Sequence, residues 1–207
     1  MEKRRNCYVL VYKGYADWQP ALSMYGLHQC TDLAVTIFSI DSGPVSSAAN
    51  LSITPYTFLD ALHPESIDLL ILPGGIALQQ HDPALHGILQ LLQYMIQQPQ
   101  PACSEPSTLL VRSGRLEQGT HTSHALPSLP IAAPEHGTAC RFLAAYAVDD
   151  GNVITVSNTQ PVAVEENSSH HFSLMENKDF RCWFGCFHAA GTPLLEKAAP
   201  FYPTALR

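Results

Sequence analysis

Charge is scarce in this sequence, and it is scattered. Asp, Glu, Lys and Arg make up 14% of the chain, and 18 acids against 11 bases leave a formal net charge of −7. The basic residues form no stripe beyond Lys3, Arg4 and Arg5 at the N-terminus, so the electrostatic footprint of a nucleic-acid binder is missing. No apolar run approaches the roughly 20 residues that cross a bilayer, and no membrane association is expected. The N-terminal basic residues lead straight into a short strand-like run and not into the apolar core of a signal peptide, which makes the cytoplasm the expected location. Internal repeats and low-complexity tracts are lacking as well. Gly74-Gly75 is too short for a phosphate cradle and neither nucleotide fingerprint occurs, so no nucleotide cofactor is expected.

What the chain does have is apolar mass, 46% of its 207 residues. A chain of this length buries roughly 70% of the surface that its unfolded form exposes. Disorder is thereby excluded and a single domain over residues 1–207 is expected. The six cysteines, Cys7, Cys30, Cys103, Cys140, Cys182 and Cys186, read as free thiols in a reducing compartment. Cys182, Cys186 and His188, with His170 and His171 upstream, include zinc-ligand types. Their spacing is not that of a zinc knuckle, and the interleaved Trp183, Phe184 and Phe187 point to helix packing. No metal is expected.

The elements alternate. Residues 7–12 (CYVLVY), 33–40 (LAVTIFSI) and 67–72 (IDLLIL) are short apolar runs suited to strands buried on both faces. Asp17 is an N-cap candidate for a helix to about Cys30, with Pro20 near its start. Residues 51–54 suggest a short extended piece. Leu85, Ile88, Leu89, Leu91, Leu92 and Met95 place one apolar face on a helix within residues 83–98. Residues 107–113 read as a helix ending at Gly114, and residues 127–134 as loop. Residues 144–148 and 152–157 read as a hairpin turning at Asp149-Asp150-Gly151. Strands alternating with helices imply an α/β fold with a mostly parallel, doubly wound sheet in three layers. Ligands in such sheets collect at the carboxyl ends of the strands, here after Tyr12, after Leu72 and around residues 102–105.

Four pieces in this order carry a family resemblance. They are Tyr15-Ala16-Asp17-Trp18-Gln19; Leu72-Pro73-Gly74-Gly75; Gly114-Arg115-Leu116 through His121-Thr122-Ser123-His124; and Asp150 to Thr155 leading into Thr159-Gln160-Pro161. Over about residues 7–165 the chain resembles the ThiJ/PfpI superfamily, of the class I glutamine amidotransferase-like (flavodoxin-like) fold. Residues 166–207 carry no family signal.

The resemblance implies a nucleophile on a strand-to-helix elbow, a nearby glutamate from the first loop and often a histidine. A thiolate there would be stabilised by helix N-terminal amides, and a backbone N–H would hold a developing oxyanion. Two positions depart from the pattern. Gln19 stands where the glutamate is expected, and an amide cannot carry a proton. At Ala102-Cys103-Ser104-Glu105-Pro106, an ungapped count from Gly114 puts Ser104 at the nucleophile position, whereas the register set by Pro106 puts Cys103 there. The ungapped count is preferred because it also brings His124 to the spacing of family members that carry a histidine. The catalytic candidates are thus Ser104, Cys103 and His124, with Gln19, Gly74, Gly75 and Glu105 lining a substrate pocket. No carboxylate is obviously placed to orient His124; Asp17 and Glu105 are the only local candidates. Two functions follow: a hydrolase, amidase or glyoxalase-like enzyme acting on a small carbonyl or amide without a cofactor, or a non-catalytic relative serving in binding or stress protection. The resemblance also implies a homodimer.

Overall fold

The computed structural model describes residues 5–30, 32–75, 83–98, 102–105, 107–114, 119–122, 141–143 and 147–156. The first apolar run becomes β1 (Asn6–Val11), and β1 has a parallel neighbour on each side. β2 (Ala34–Ser39) aligns Val9 with Ile37, and β6 (Leu69–Ile71) aligns Val9 with Ile71. A strand paired on both edges and covered on both faces must be apolar throughout, and Cys7, Val9, Leu10 and Val11 are all within 1% of complete burial. The Asp68 carboxylate accepts the Asn6 N–H (2.7 Å), and the Asn6 amide donates to the Ser66 carbonyl (3.1 Å). These bonds fix the entry of β1 against β6.

Outside this centre lie β5 (Thr57–Phe58) beyond β2, and β7 (Ala102–Glu105), β11 (Val153–Val156) and β10 (Ala147–Asp149) beyond β6. The sheet order is β10-β11-β7-β6-β1-β2-β5, parallel except for the β10–β11 hairpin. From β1 the chain winds outward to β2 and β5, then restarts at β6 and winds the other way. The carboxyl ends of β1 and β6 therefore form the topological switch point.

Helices cover both faces, as expected for three layers. α1 (Trp18–Cys30) sends Leu27 into a cluster with Cys7, Val9, Leu33, Leu69 and Ile71. α2 (His86–Ile96) buries Ile88, Leu91, Leu92 and Met95 against Leu10, Phe38, Leu70 and Leu72 on the opposite face. The helical periodicity of the sequence thus falls on the buried stripe, while Leu89 lies at its partly buried margin. α3 (Ser107–Arg112) stops as expected at Gly114, whose φ of +80° suits a left-handed C-terminal cap. The β10–β11 turn uses Gly151, also at φ +80°, and the Asp150 N–H donates to the Val153 carbonyl.

Residues 51–54 supply β4 (Ser52–Ile53), which pairs antiparallel with β3 (Val45–Ser46) in a small hairpin beside the main sheet. A second small pair joins β8 (Thr120–His121) to β9 (Arg141–Phe142). No helix among the described residues is long and apolar enough to cross a membrane. The loop at 127–134, the segment from residue 162 onward and the Cys182–His188 cluster lie outside the described residues.

Cys7 is a free thiol at 0% exposure, and burial pushes its pKa far above the ordinary range. Since only the thiolate alkylates readily, iodoacetamide should leave Cys7 unmodified in the native protein at pH 8 and modify it in urea. Peptide mapping by mass spectrometry checks this, and rapid native-state modification would contradict the packing described.

Candidate functional site

The site is built where the first loop meets the double-glycine turn. After β1 the chain bends through Gly14 (φ +77°), with the Tyr15 N–H donating to the Tyr12 carbonyl (3.0 Å). That bend lays residues 15–16 against residues 74–75. The Ala16 N–H donates to the Gly74 carbonyl (2.7 Å), and Tyr15 faces Gly75 in an isolated antiparallel bridge. Gln19, in the first turn of α1, accepts the Gly74 N–H on its Oε1. Tyr12, buried at 4% exposure, donates its hydroxyl to the Pro73 carbonyl (2.8 Å).

These bonds engage both backbone groups of Gly74. The neighbouring Gly75 N–H has no hydrogen bond among the described residues. Gly75 itself is required by space. A Cβ there would stand 2.6 Å from the Gly14 carbonyl oxygen, 2.8 Å from the Tyr12 hydroxyl and 2.9 Å from the Tyr15 Cα. At Gly74 the atoms nearest to a Cβ would be those of the Gln19 side chain, at 3.1 Å or more.

The β3–β4 hairpin docks onto the same loop. The Gly14 N–H donates to the Ser46 carbonyl and the Ala48 N–H to the Tyr15 carbonyl, each at 2.8 Å. Asp17 precedes α1, as an N-cap should, but its carboxylate is turned to the hairpin. It accepts the Ser47 hydroxyl and the Ala49 N–H (3.2 Å), while Ser47 Oγ accepts the Leu51 N–H (3.0 Å). The Ser47 hydroxyl holds the Asp17 carboxyl below the usual carboxylate range. The amides of Ala49 and Trp18 add to this against an opposing desolvation. Burial, and then the Asp17 charge, push the Tyr15 phenol upward. Asp17, considered above for orienting a histidine, is thus committed to the hairpin.

The third segment lies one strand over. β7 aligns Cys103 with Leu70 and Ser104 with Ile71 on β6, and it aligns Ser104 with Ile154 and Glu105 with Thr155 on β11. Residues 102–105 are all ladder residues, and α3 begins at Ser107. Pro106, next in the sequence, has no N–H with which to extend a ladder. Cys103 and Ser104 occupy successive strand positions, which alternate between opposite faces. Leu70 belongs to the α2-side cluster and Ile71 to the α1-side cluster. The side chains of residues 103–105 lie outside what is described, as does His124. Two positions before His124, the Thr122 N–H donates to Thr155 Oγ1 (2.9 Å), both residues are 1% exposed, and Thr155 is in register with Glu105.

The structure therefore brings Gln19, Gly74 and Gly75 into contact, with the carboxyl end of β7 on the strand beside them. Tyr12, Ser47 and Thr155 are the structural contributors that the sequence reading did not single out. Ser47 reaches Asp17 across 30 positions, and nothing local signals such a pairing.

Two measurements follow from this geometry. Gly75→Ala should lower the unfolding free energy by about 1–3 kcal/mol, the usual cost of forcing atoms into a packed site. Gly74→Ala should cost less, and comparing urea midpoints checks the order. Asp17 has a folded-state pKa below the roughly 3.9 of a free side chain. Its contribution is therefore present above that unfolded value and lost as pH falls through the lower folded value. Asp17→Asn should be the less stable protein at pH 6, and the gap should close below about pH 4, as acid titrations of both proteins would reveal.

The arrangement matches known proteins. Residues 5–166 match the model of the DJ-1/PfpI family. An uncharacterized protease of Bacillus subtilis, YoaZ, is 23% identical over 189 residues, spanning 87% of this chain and 89% of that protein. Among solved structures, a ThiJ/PfpI family protein from Bacillus anthracis superposes with a TM-score of 0.84 at 19% identity, covering 96% of this chain and 97% of that one. The DJ-1 superfamily protein Atu0886 from Agrobacterium tumefaciens gives a TM-score of 0.73 at 23% identity, covering 96% of this chain and all (100%) of that one. With its switch-point loop, its double-glycine turn and a family match over most of its length, the chain belongs to the DJ-1/PfpI family.

Proposed function

We propose that the protein is a hydrolase- or amidase-type enzyme, or a glyoxalase-like lyase, acting on a small carbonyl or amide substrate at the switch point. In this reading Ser104 or Cys103 supplies the nucleophile and His124 the base, with the Gly75 N–H as oxyanion donor and Glu105 on the pocket wall. The observation that supports it most is the division of labour at the double glycine. Gln19 and Ala16 engage Gly74 on both sides, leaving the Gly75 N–H as a donor at the carboxyl end of β6. A fixed donor of this kind stabilises charge without reorganising during reaction. The name of the Bacillus subtilis relative YoaZ, an uncharacterized protease, is consistent with acyl chemistry.

A specific observation also favours a second reading, a non-catalytic relative that binds without turnover. Gln19 is an amide whose oxygen is held by Gly74, so the residue positions the turn and cannot shuttle a proton.

Activity-based labelling separates the two. A fluorophosphonate and a thiol-directed electrophile, each with a reporter tag, should modify Ser104 or Cys103 in the folded protein at neutral pH. His124→Ala should slow that labelling roughly 100-fold, the scale of a lost general base. If the folded protein is labelled at neither residue, or is labelled no faster than the urea-denatured chain, the enzymatic reading fails and the binding module stands.

A further inference from the structure

A concave feature lies beside the site, across β1. The carboxyl ends of β1 and β2 and the loop that follows β2 enclose a cleft of about 330 Å³, at the lower end of the range of small-molecule pockets. Its floor is buried: Val11, Tyr12 and Leu85 are 1%, 4% and 1% exposed. Its rim is polar and open, with Lys13, Asp41, Ser42 and Ser46 all exposed. The Ser39 hydroxyl, also in the lining, donates to the Asp41 carbonyl and holds the loop at that point.

Lys13 and Asp41 are the charged residues of the lining, one of each sign. Among the described residues neither takes part in an ion pair, with the other or with any other group. A purely anionic ligand would gain from Lys13 and lose to Asp41, and a purely cationic one the reverse. A ligand carrying both charges gains from both, and an apolar remainder suits the floor. We propose that this cleft binds a free apolar α-amino acid, its carboxylate toward Lys13 and its ammonium toward Asp41, with the side chain against Val11, Tyr12 and Leu85. Tyr12 belongs to both sites, since it lines the cleft and its hydroxyl donates to the Pro73 carbonyl at the double-glycine turn. An amino acid seated there rests on the residue that holds the candidate catalytic turn. The assignment itself does not depend on that turn being catalytic.

Titration of the full-length ¹⁵N-labelled protein with L-leucine tests it. Saturable amide shifts in the millimolar range should centre on Lys13, Ser42, Gly43 and Ser46. N-acetyl-L-leucine lacks the ammonium and L-leucinamide lacks the carboxylate, and each should bind at least about three-fold more weakly. Lys13→Gln and Asp41→Asn should each weaken leucine about three- to ten-fold, the scale of one partly exposed ion pair. Loss of a charge from the ligand without loss of affinity, or shifts that do not saturate or fall elsewhere, would overturn the proposal. The analogue comparison uses the unaltered protein and so does not depend on the variants folding. Labelling at residues 103–104 is read separately, so either idea can fail alone.

Discussion

Hydrogen bonding between the loop after β1 and the turn after β6 holds the switch point together. Two chain segments leave adjacent parallel strands with unpaired backbone groups, and burying such groups without partners is costly. Here they satisfy one another: Ala16 donates to Gly74, Gly74 donates to the Gln19 side chain, and Tyr12 donates to Pro73. The approach is so close that residue 75 has no room for a Cβ between the Gly14 carbonyl and the Tyr12 hydroxyl. Because both polar backbone groups of Gly74 are used in this way, the next amide along the chain is the one presented.

Other segments are fastened to this interlock in turn. The β3–β4 hairpin docks through Gly14, Tyr15 and Asp17, so a carboxylate that would serve a helix N-terminus alone also ties down a neighbouring hairpin. On the far side of β6, β7 and β11 carry residues 102–105 and 153–156 into register, and Thr155 holds Thr122. Segments spread over more than 100 positions thus arrive at one end of one sheet, the usual place for chemistry in open α/β folds.

Gln19 shows how a single exchange of residue type redirects a site. A carboxylate could accept the Gly74 N–H and also exchange a proton. An amide keeps the first ability and gives up the second. The turn therefore retains its geometry whatever its chemistry, and the structural role of position 19 is separable from any catalytic one. Tyr12 has a similar double character, joining the turn to the neighbouring cleft.

Much of the framework was legible in the sequence by itself. The apolar runs at residues 7–12, 33–40 and 67–72 became β1, β2 and β6, the apolar positions of residues 83–98 became the buried stripe of α2, and Asp-Gly at 150–151 made the hairpin turn. These signals are local, since burial on two faces, helical period and positive-φ turns each constrain the residues that carry them. The α/β class and the carboxyl-end location followed from their alternation. The commitment of Asp17 to Ser47, the hold of Gln19 on Gly74, and the ladder that runs through Cys103 and Ser104 to Glu105 were decided only in three dimensions. Each depends on partners 30 to 55 positions away or on strand register. Composition and spacing carry no term for a contact between distant segments, so only the folded chain could assign those side chains their tasks.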